Sequence, residues 1–168
     1  KSDDDFAFQA NLDYEHASGF YLGTSASTVD FGDSSFSDRA RFEITPYAGW
    51  TFGLTDEWRL DLQWTRYLYD GKIFGEESDY NEFYGLIHYR DLFTGRVSFS
   101  ENFYNRNHAA ADFEMTGRYP VTDWLEFSSG IGYSLTKDSI EYDNLYWNAG
   151  LSAYNKYFAL YIRNLDAH

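Results

Sequence analysis

Charged side chains recur at every second position through much of this chain. Arg41 and Glu43 form one set, Arg59 and Asp61 a second, and Glu82, His88 and Arg90 a third. Arg96, then Asp112, Glu114 and Arg118, then Glu126 and Arg163 continue the pattern, with Asp13 ahead of it. A period of two puts such residues on one face of a strand. Rings of charge around a shared space can select ions. The same residues, paired with one another, can instead fill a small polar interior. The mixed signs point to a narrow or partly plugged space rather than an open one. Reaction chemistry is poorly served. The histidines are His16, His88, His108 and His168. His88 shares its face with Glu82, yet no Ser/His/acid set carries a motif such as Gly-x-Ser-x-Gly. A lone histidine on a polar face is ordinarily a satisfied neighbour. No metal-ligand spacing, phosphate loop or cysteine site is present. The sequence therefore predicts no catalytic residue, no metal, no cofactor and no enzyme.

The residues between those charges are apolar. Phe42, Ile44, Pro46, Ala48, Trp50 and Phe52 alternate with Arg41, Glu43, Thr45, Tyr47, Gly49 and Thr51. Trp58, Leu60, Leu62, Trp64 and Leu68 alternate with Arg59, Asp61, Gln63, Thr65, Tyr67 and Tyr69. A one-residue slip would carry Arg59 and Asp61 onto the apolar face, so register is well specified. Pro46 would forfeit a ladder hydrogen bond, which suggests a bulge there. The same alternation predicts ten strands, at 6–17, 20–31, 41–52, 58–69, 80–91, 95–104, 109–119, 124–135, 145–154 and 157–165. No segment of helical period competes.

A strand that crosses a bilayer at a tilt needs about 9–11 residues, alternating lipid-facing and lumen-facing side chains. These strands have that length and pattern. Their connections alternate too. Tight turns such as 54–57 and 121–123 take turns with longer polar segments such as 32–40, 70–79 and 137–143, the usual arrangement of an outer-membrane barrel. The fold class expected is all-β, an antiparallel up-and-down transmembrane β-barrel in one domain, 1–168. Barrels keep both termini on the short-turn side. Here 1–5 and the residues after Leu165 fall on the long-loop side, so a first and a last strand are expected to be missing and the intact barrel to have about twelve.

Composition agrees. The chain has 168 residues, a formal net charge of -14, 21% aromatic residues and no cysteine. The aromatics suit the girdles at a membrane interface, and Trp50, Trp58, Trp64 and Trp147 have the parity for it. The acidity argues against a nucleic-acid partner, which wants a basic face. No run of about 18 apolar residues could form a spanning helix. Arg66 and Glu101 have lipid-facing parity late in outward strands, so both are expected at the outer rim. There Arg66 could snorkel or meet lipopolysaccharide phosphate groups. The loop acids Asp30, Asp33, Asp38, Glu76, Glu77, Asp79, Asp138, Glu141 and Asp143 show no ordered calcium spacing and read as solvated. Outside, they would bias an entrance towards cations.

Two stretches resemble the TorF-type outer-membrane porin family, a conserved bacterial barrel family of unknown function. One is Leu12-Asp13-Tyr14-Glu15-His16, then Ser18-Gly19-Phe20-Tyr21-Leu22-Gly23-Thr24 with Ser27, Val29, Asp30 and Phe31. The other is Tyr67-Leu68-Tyr69-Asp70-Gly71, then Asp79-Tyr80-Asn81-Glu82-Phe83-Tyr84-Gly85. Asp70 stands where that family usually has Pro, and its Arg-Gly-bearing upstream strand and its last strand have no counterpart. The resemblance implies an outer-membrane barrel with a porin role and supplies no catalytic residues.

The reading that follows is a narrow, cation-leaning passive diffusion channel for small solutes in a Gram-negative outer membrane. Its partners would be outer-membrane lipid, lipopolysaccharide and the solutes or cations themselves, with oligomeric state left open. One alternative is a non-conducting structural or adhesive barrel that binds a partner through its outer loops. Another is a soluble lipocalin-like barrel, which requires Trp58, Leu60, Leu62 and Trp64 to turn inward. A barrel hydrolase would need His88 beside a nucleophile.

Overall fold

The computed structural model describes residues 8–32, 35–140, 142–154 and 159–167, and for 139, 140, 154 and 159–167 the backbone alone. Its strands are β1 (Gln9–Glu15), β2 (Phe20–Thr28), β3 (Phe42–Gly53), β4 (Trp58–Tyr69) and β5 (Tyr80–Tyr89). They continue as β6 (Phe93–Ser100), β7 (Ala110–Thr122), β8 (Leu125–Leu135), β9 (Asn144–Tyr154) and β10 (Ala159–Ala167). All ten lie in one sheet in sequence order, each antiparallel to the next. A 3-10 turn at Phe103–Asn105 follows β6, and one helical turn, Lys137–Ile140, follows β8. The fold is all-β and up-and-down. Among the described residues β1 pairs with β2 alone and β10 with β9 alone, so the described sheet is open along those two edges rather than closed into a barrel.

Register explains the two faces. An apolar row runs from Trp64 to Phe83, Phe99 and Ala111, and a parallel one from Val97 to Phe113, Tyr133 and Leu145. The opposite face carries Gln63, Tyr84, Ser98, Asp112, Ser134 and Asn144 in one line across six strands. Burial is the reverse of that in a water-soluble domain. Phe83 and Met115 are each 54% exposed, whereas Ser98 is 2% exposed. A single-layer sheet buries one face of its own only by curling around it. The polar face is therefore the concave one. Hydrogen bonds on this face also skip a strand: Tyr21 on β2 donates to Asp61 on β4 at 2.5 Å, and Tyr146 on β9 to Glu114 on β7 at 2.9 Å.

Several sequence expectations shift. The register of β3 against β4 is the same on both sides of Thr45 and Pro46, and Pro46 pairs with Thr24 of β2; a register shift falls instead between Pro120 and Thr122. β6 stops at Ser100 rather than at 104, because the chain turns at 102–107 through left-handed residues Tyr104, Asn105 and Asn107. Glu101 is thus an exposed loop residue outside the strand.

The loops fold onto one another at one end of the sheet. Asp70 Oδ1 accepts from the backbone N–H of Arg41 at 2.7 Å and of Phe42 at 2.9 Å. Ala40 N donates to Lys72 O, and Lys72 N to Asp38 O, each at 2.8 Å. Gly71 permits this approach: a Cβ there would lie 2.6 Å from Asp38 O. The apolar residues buried most deeply, Ala40, Ile73, Tyr80 and Ala110, all sit where these loops meet the strand ends.

Candidate functional site

The concave face is the candidate site, and its alternating polar residues converge there in two clusters. On β6 to β9, the Arg96 guanidinium donates to Asp112 at 2.8 Å and Glu114 at 3.2 Å. Tyr146 Oη donates to Glu114, and Ser134 Oγ to Asp112 at 2.6 Å. Next to this, Ser98 Oγ donates to Glu82 Oε1 and Tyr84 Oη to Glu82 Oε2, both at 2.6 Å, with Tyr67 Oη 2.6 Å from Tyr84 Oη. On β1 to β4, Asp61 accepts from Tyr21 and, at 2.7 Å, from Thr51. Tyr47 donates to Asp13, and Ser25 shares a hydrogen bond with Thr45. Such donors stand in for part of the water shell of a half-buried carboxylate.

Three of the tyrosines lie across the sheet onto glycine. Tyr21 faces Gly49, Tyr47 faces Gly23 and Tyr146 faces Gly132, each directly opposite on the neighbouring strand. A Cβ at any of these glycines would collide with the ring. The ring needs the bare backbone to lie flat, and lying flat aims its hydroxyl at a carboxylate one strand further on. The charged residues were legible as candidates from parity. These glycines were not singled out, although their parity placed them opposite tyrosines on the same face.

The candidate lining residues divide. Glu43, Asp61, Glu82, His88, Arg96, Asp112, Glu114 and Glu126 lie half-buried on the concave face. His88 Nδ1 sits 2.9 Å from Thr94 Oγ1, a hydroxyl on the pairing strand and part of no nucleophile set that the contacts reveal. Arg59 and Arg118 share the parity but are exposed, near the tight turns. Arg41 precedes β3 and is exposed. Arg90 is a correction. It lies past the end of β5 in the turn, where it pairs with Glu57 of the β3–β4 turn and covers the Tyr89 ring at 5.4 Å. That hydrogen bond to Glu57 raises its pKa further. Arg163 has a described backbone on β10, opposite Gly150, but its side chain lies outside the described residues. So do Asp33 and Glu141 entirely.

On the convex face Trp50, Trp58, Trp64 and Trp147 are exposed. Trp58 opens β4, and its ring lies 4.9 Å from that of Tyr89, while Trp64 lies midway along β4 and Trp147 is the fourth residue of β9. Trp64 Nε1 donates to Asn81 at 3.2 Å. Arg66 reaches Asp79, which follows in the β4–β5 loop, at 3.9 Å.

A family model described as a bacterial protein of unknown function, Gcw_chp, matches residues 1–167. The chain belongs to the Gcw_chp family. No curated protein and no solved structure matches it.

Within this Gcw_chp chain, clefts open on the concave face among the described residues. One of about 550 Å³ opens near the tight turns between Asp13, Tyr21, Tyr47, Arg59, Asp61 and Gln63. Another of about 220 Å³ lies towards the loops among Glu82, Arg96, Ser98, Asp112 and Ser134. Among the described residues no three of His, Cys, Asp and Glu converge as metal ligands. Three of the loop acids accept from backbone N–H groups. Asp79 accepts from Tyr69 N at 2.9 Å, Asp143 from Thr136 N and Lys137 N at 3.0 Å, and Asp30 from Gly32 N at 2.8 Å.

Proposed function

We propose that this chain forms a transmembrane β-barrel in a Gram-negative outer membrane and acts as a narrow, cation-leaning passive diffusion channel for small solutes. The observation that carries this reading is the inverted burial. An apolar face is exposed from β3 to β9, and the hydrogen-bonded polar face opposite it is largely half-buried. Patches of that extent are rare on monomeric soluble proteins, and lipid is the solvent that suits them. The lipocalin-like alternative required Trp58, Leu60, Leu62 and Trp64 to point inward; Trp58, Leu62 and Trp64 are exposed on the convex face, and Leu60, of the same parity, is half-buried. In hydrocarbon the free edges of β1 and β10 would leave unsatisfied N–H and C=O groups, so the proposed barrel pairs them with each other or through further strands. Kinship with TorF-type barrels belongs to the same proposal.

Acids outnumber cations on the described concave face. Asp13, Glu43, Asp61, Glu82, Asp112, Glu114 and Glu126 face Arg59, Arg96 and Arg118. A lining of that sign favours cation entry. At the rim Arg66 is positioned for an anionic lipopolysaccharide group. Single-channel conductance in a planar bilayer under a salt gradient tests the channel, and a reversal potential on the cation side is expected. The packed loop cap favours a second reading, a non-conducting barrel that binds a partner through its outer loops. Reproducible absence of conductance from folded protein selects it.

A further inference from the structure

The segment that follows β6 turns inward over the mouth of the concave face. Asn102 organises it: its Nδ2 donates to Asn105 Oδ1 at 2.9 Å, and its Oδ1 accepts from Asn107 N at 2.7 Å. Tyr104, at φ 49°, is left-handed. Asparagine tolerates that backbone; an aromatic residue adopts it only at a cost. The return is visible in the rings. Tyr104 lies 5.0 Å from the Tyr80 ring, 6.1 Å from Tyr69 and 6.3 Å from Phe31. Phe103 packs on Tyr80 at 5.0 Å, and Tyr80 stacks on Tyr67 at 4.5 Å. Tyr67, Tyr69 and Tyr80 share the parity of Thr65 and Glu82, so these rings stand over the concave face immediately beyond its Glu82 cluster. Burial pushes the Tyr104 phenol above its ordinary pKa. Outside the rings, Arg106 donates to Ile73 O at 3.3 Å and pairs with Glu76, while Asn105 Nδ2 reaches Glu77 O at 3.4 Å.

We infer that residues 102–107 are an aromatic plug seated in the loop-end mouth of the lumen, and that Tyr104 sets the size limit for what passes. The inference rests on the channel reading. Aromatic rings from the β2–β3, β4–β5 and β6–β7 connections meet there in one cluster. A hydrated solute has to pass beside this cluster, so its packing rather than the charge of the strands limits size.

The test uses the full chain in liposomes, with swelling measured in neutral sugars of graded size, beside planar-bilayer conductance. Tyr104→Gly removes the ring and suits the left-handed backbone, so the turn itself is preserved. It is expected to raise conductance at least about twofold, tenfold corresponding to about 1.4 kcal/mol in the barrier, and to admit a larger sugar than the parent. Phe31→Ala, which opens the same cluster from another loop, is expected to act in the same direction and decides the matter if Tyr104→Gly does not fold. Unchanged permeability in a folded variant overturns the plug. If parent and variant then conduct alike, the channel reading stands without it; if neither passes anything, both readings fall.

Discussion

The two ends of this sheet are built differently. At the loop end, Ile73 is 4% and Tyr80 5% exposed, with Ala40 and Ala110 packed near them. At the turn end, Arg59, Arg90 and Arg118 are exposed, and a cleft opens between Tyr21, Tyr47 and Asp61. A soluble domain gains a core by packing one layer on another. This sheet has one layer, so apolar side chains on its strands have no second layer to meet. Only where the loops fold back does the chain supply one. The difference teaches that the loop end is held by apolar burial and the turn end by local hydrogen bonds in tight turns, such as those from Glu57 N and Trp58 N to Thr55 Oγ1 at 3.2 and 3.0 Å.

The largest effect should come from the loop end. Tyr80→Ala removes a buried ring between Tyr67, Phe103 and Tyr104 and is expected to cost about 3–5 kcal/mol. Arg59→Ala, at the turn end, should stay within about 0.5 kcal/mol. Denaturant titration of the detergent-folded protein reads both. Comparable losses would erase the distinction between the ends.

Between the ends, the polar clusters should matter to an intermediate degree. Asp112→Asn leaves Arg96 with one carboxylate, Glu114, and weakens the Ser134 and Tyr146 contacts. Hydrogen bonds to charged groups are worth about 1.5–3 kcal/mol each way, and a loss in that range is expected from the same titration. A stability unchanged by the substitution would mean that the cluster is solvated in the folded protein.

The ring-on-glycine contacts sharpen the comparison further. Gly132→Ala forces Tyr146 off its bed and is expected to cost about 1–3 kcal/mol through overpacking. Adding Tyr146→Ala should then cost less than the same change in the parent, a coupling that a double-mutant cycle measures. Strict additivity of the two changes would deny the contact.

Much of this was legible in the chain, and the failures have a common cause. Parity alone separated Arg96, Asp112 and Glu114 from Val97, Phe113 and Met115, because a side-chain period of two admits no compromise at a sheet with two unlike faces. Tight turns announced themselves through Thr55 and Gly19. The limit of β6 did not. Phe103 and Tyr104 are good strand residues, and what turns them is asparagine chemistry at 102, 105 and 107 together with rings more than twenty residues away. Asp79 read as a solvated charge for the same reason: its partner, Tyr69 N, is set by loop packing that no local pattern encodes. Closure lies beyond parity as well, since alternation specifies faces and leaves the edges of β1 and β10 undetermined.

The smallest effect should be at the turn end, where the contacts look strongest on paper. Arg90 pairs with Glu57 between two turns and sits over Tyr89. Both partners of the ion pair are about half exposed. Water and salt screen such a pair, and holding two long side chains in one geometry costs entropy, so exposed pairs often contribute nothing measurable. The Arg90 N–H, by contrast, donates to Glu57 O at 2.7 Å regardless of either side chain. Glu57→Gln should therefore leave the unfolding midpoint unchanged at both low and high salt. A loss that appears at low salt and fades at high salt would show that side-chain charge, not the backbone bond, holds the two turns together, and the turn end would then share the long-range stitching found at the loop end.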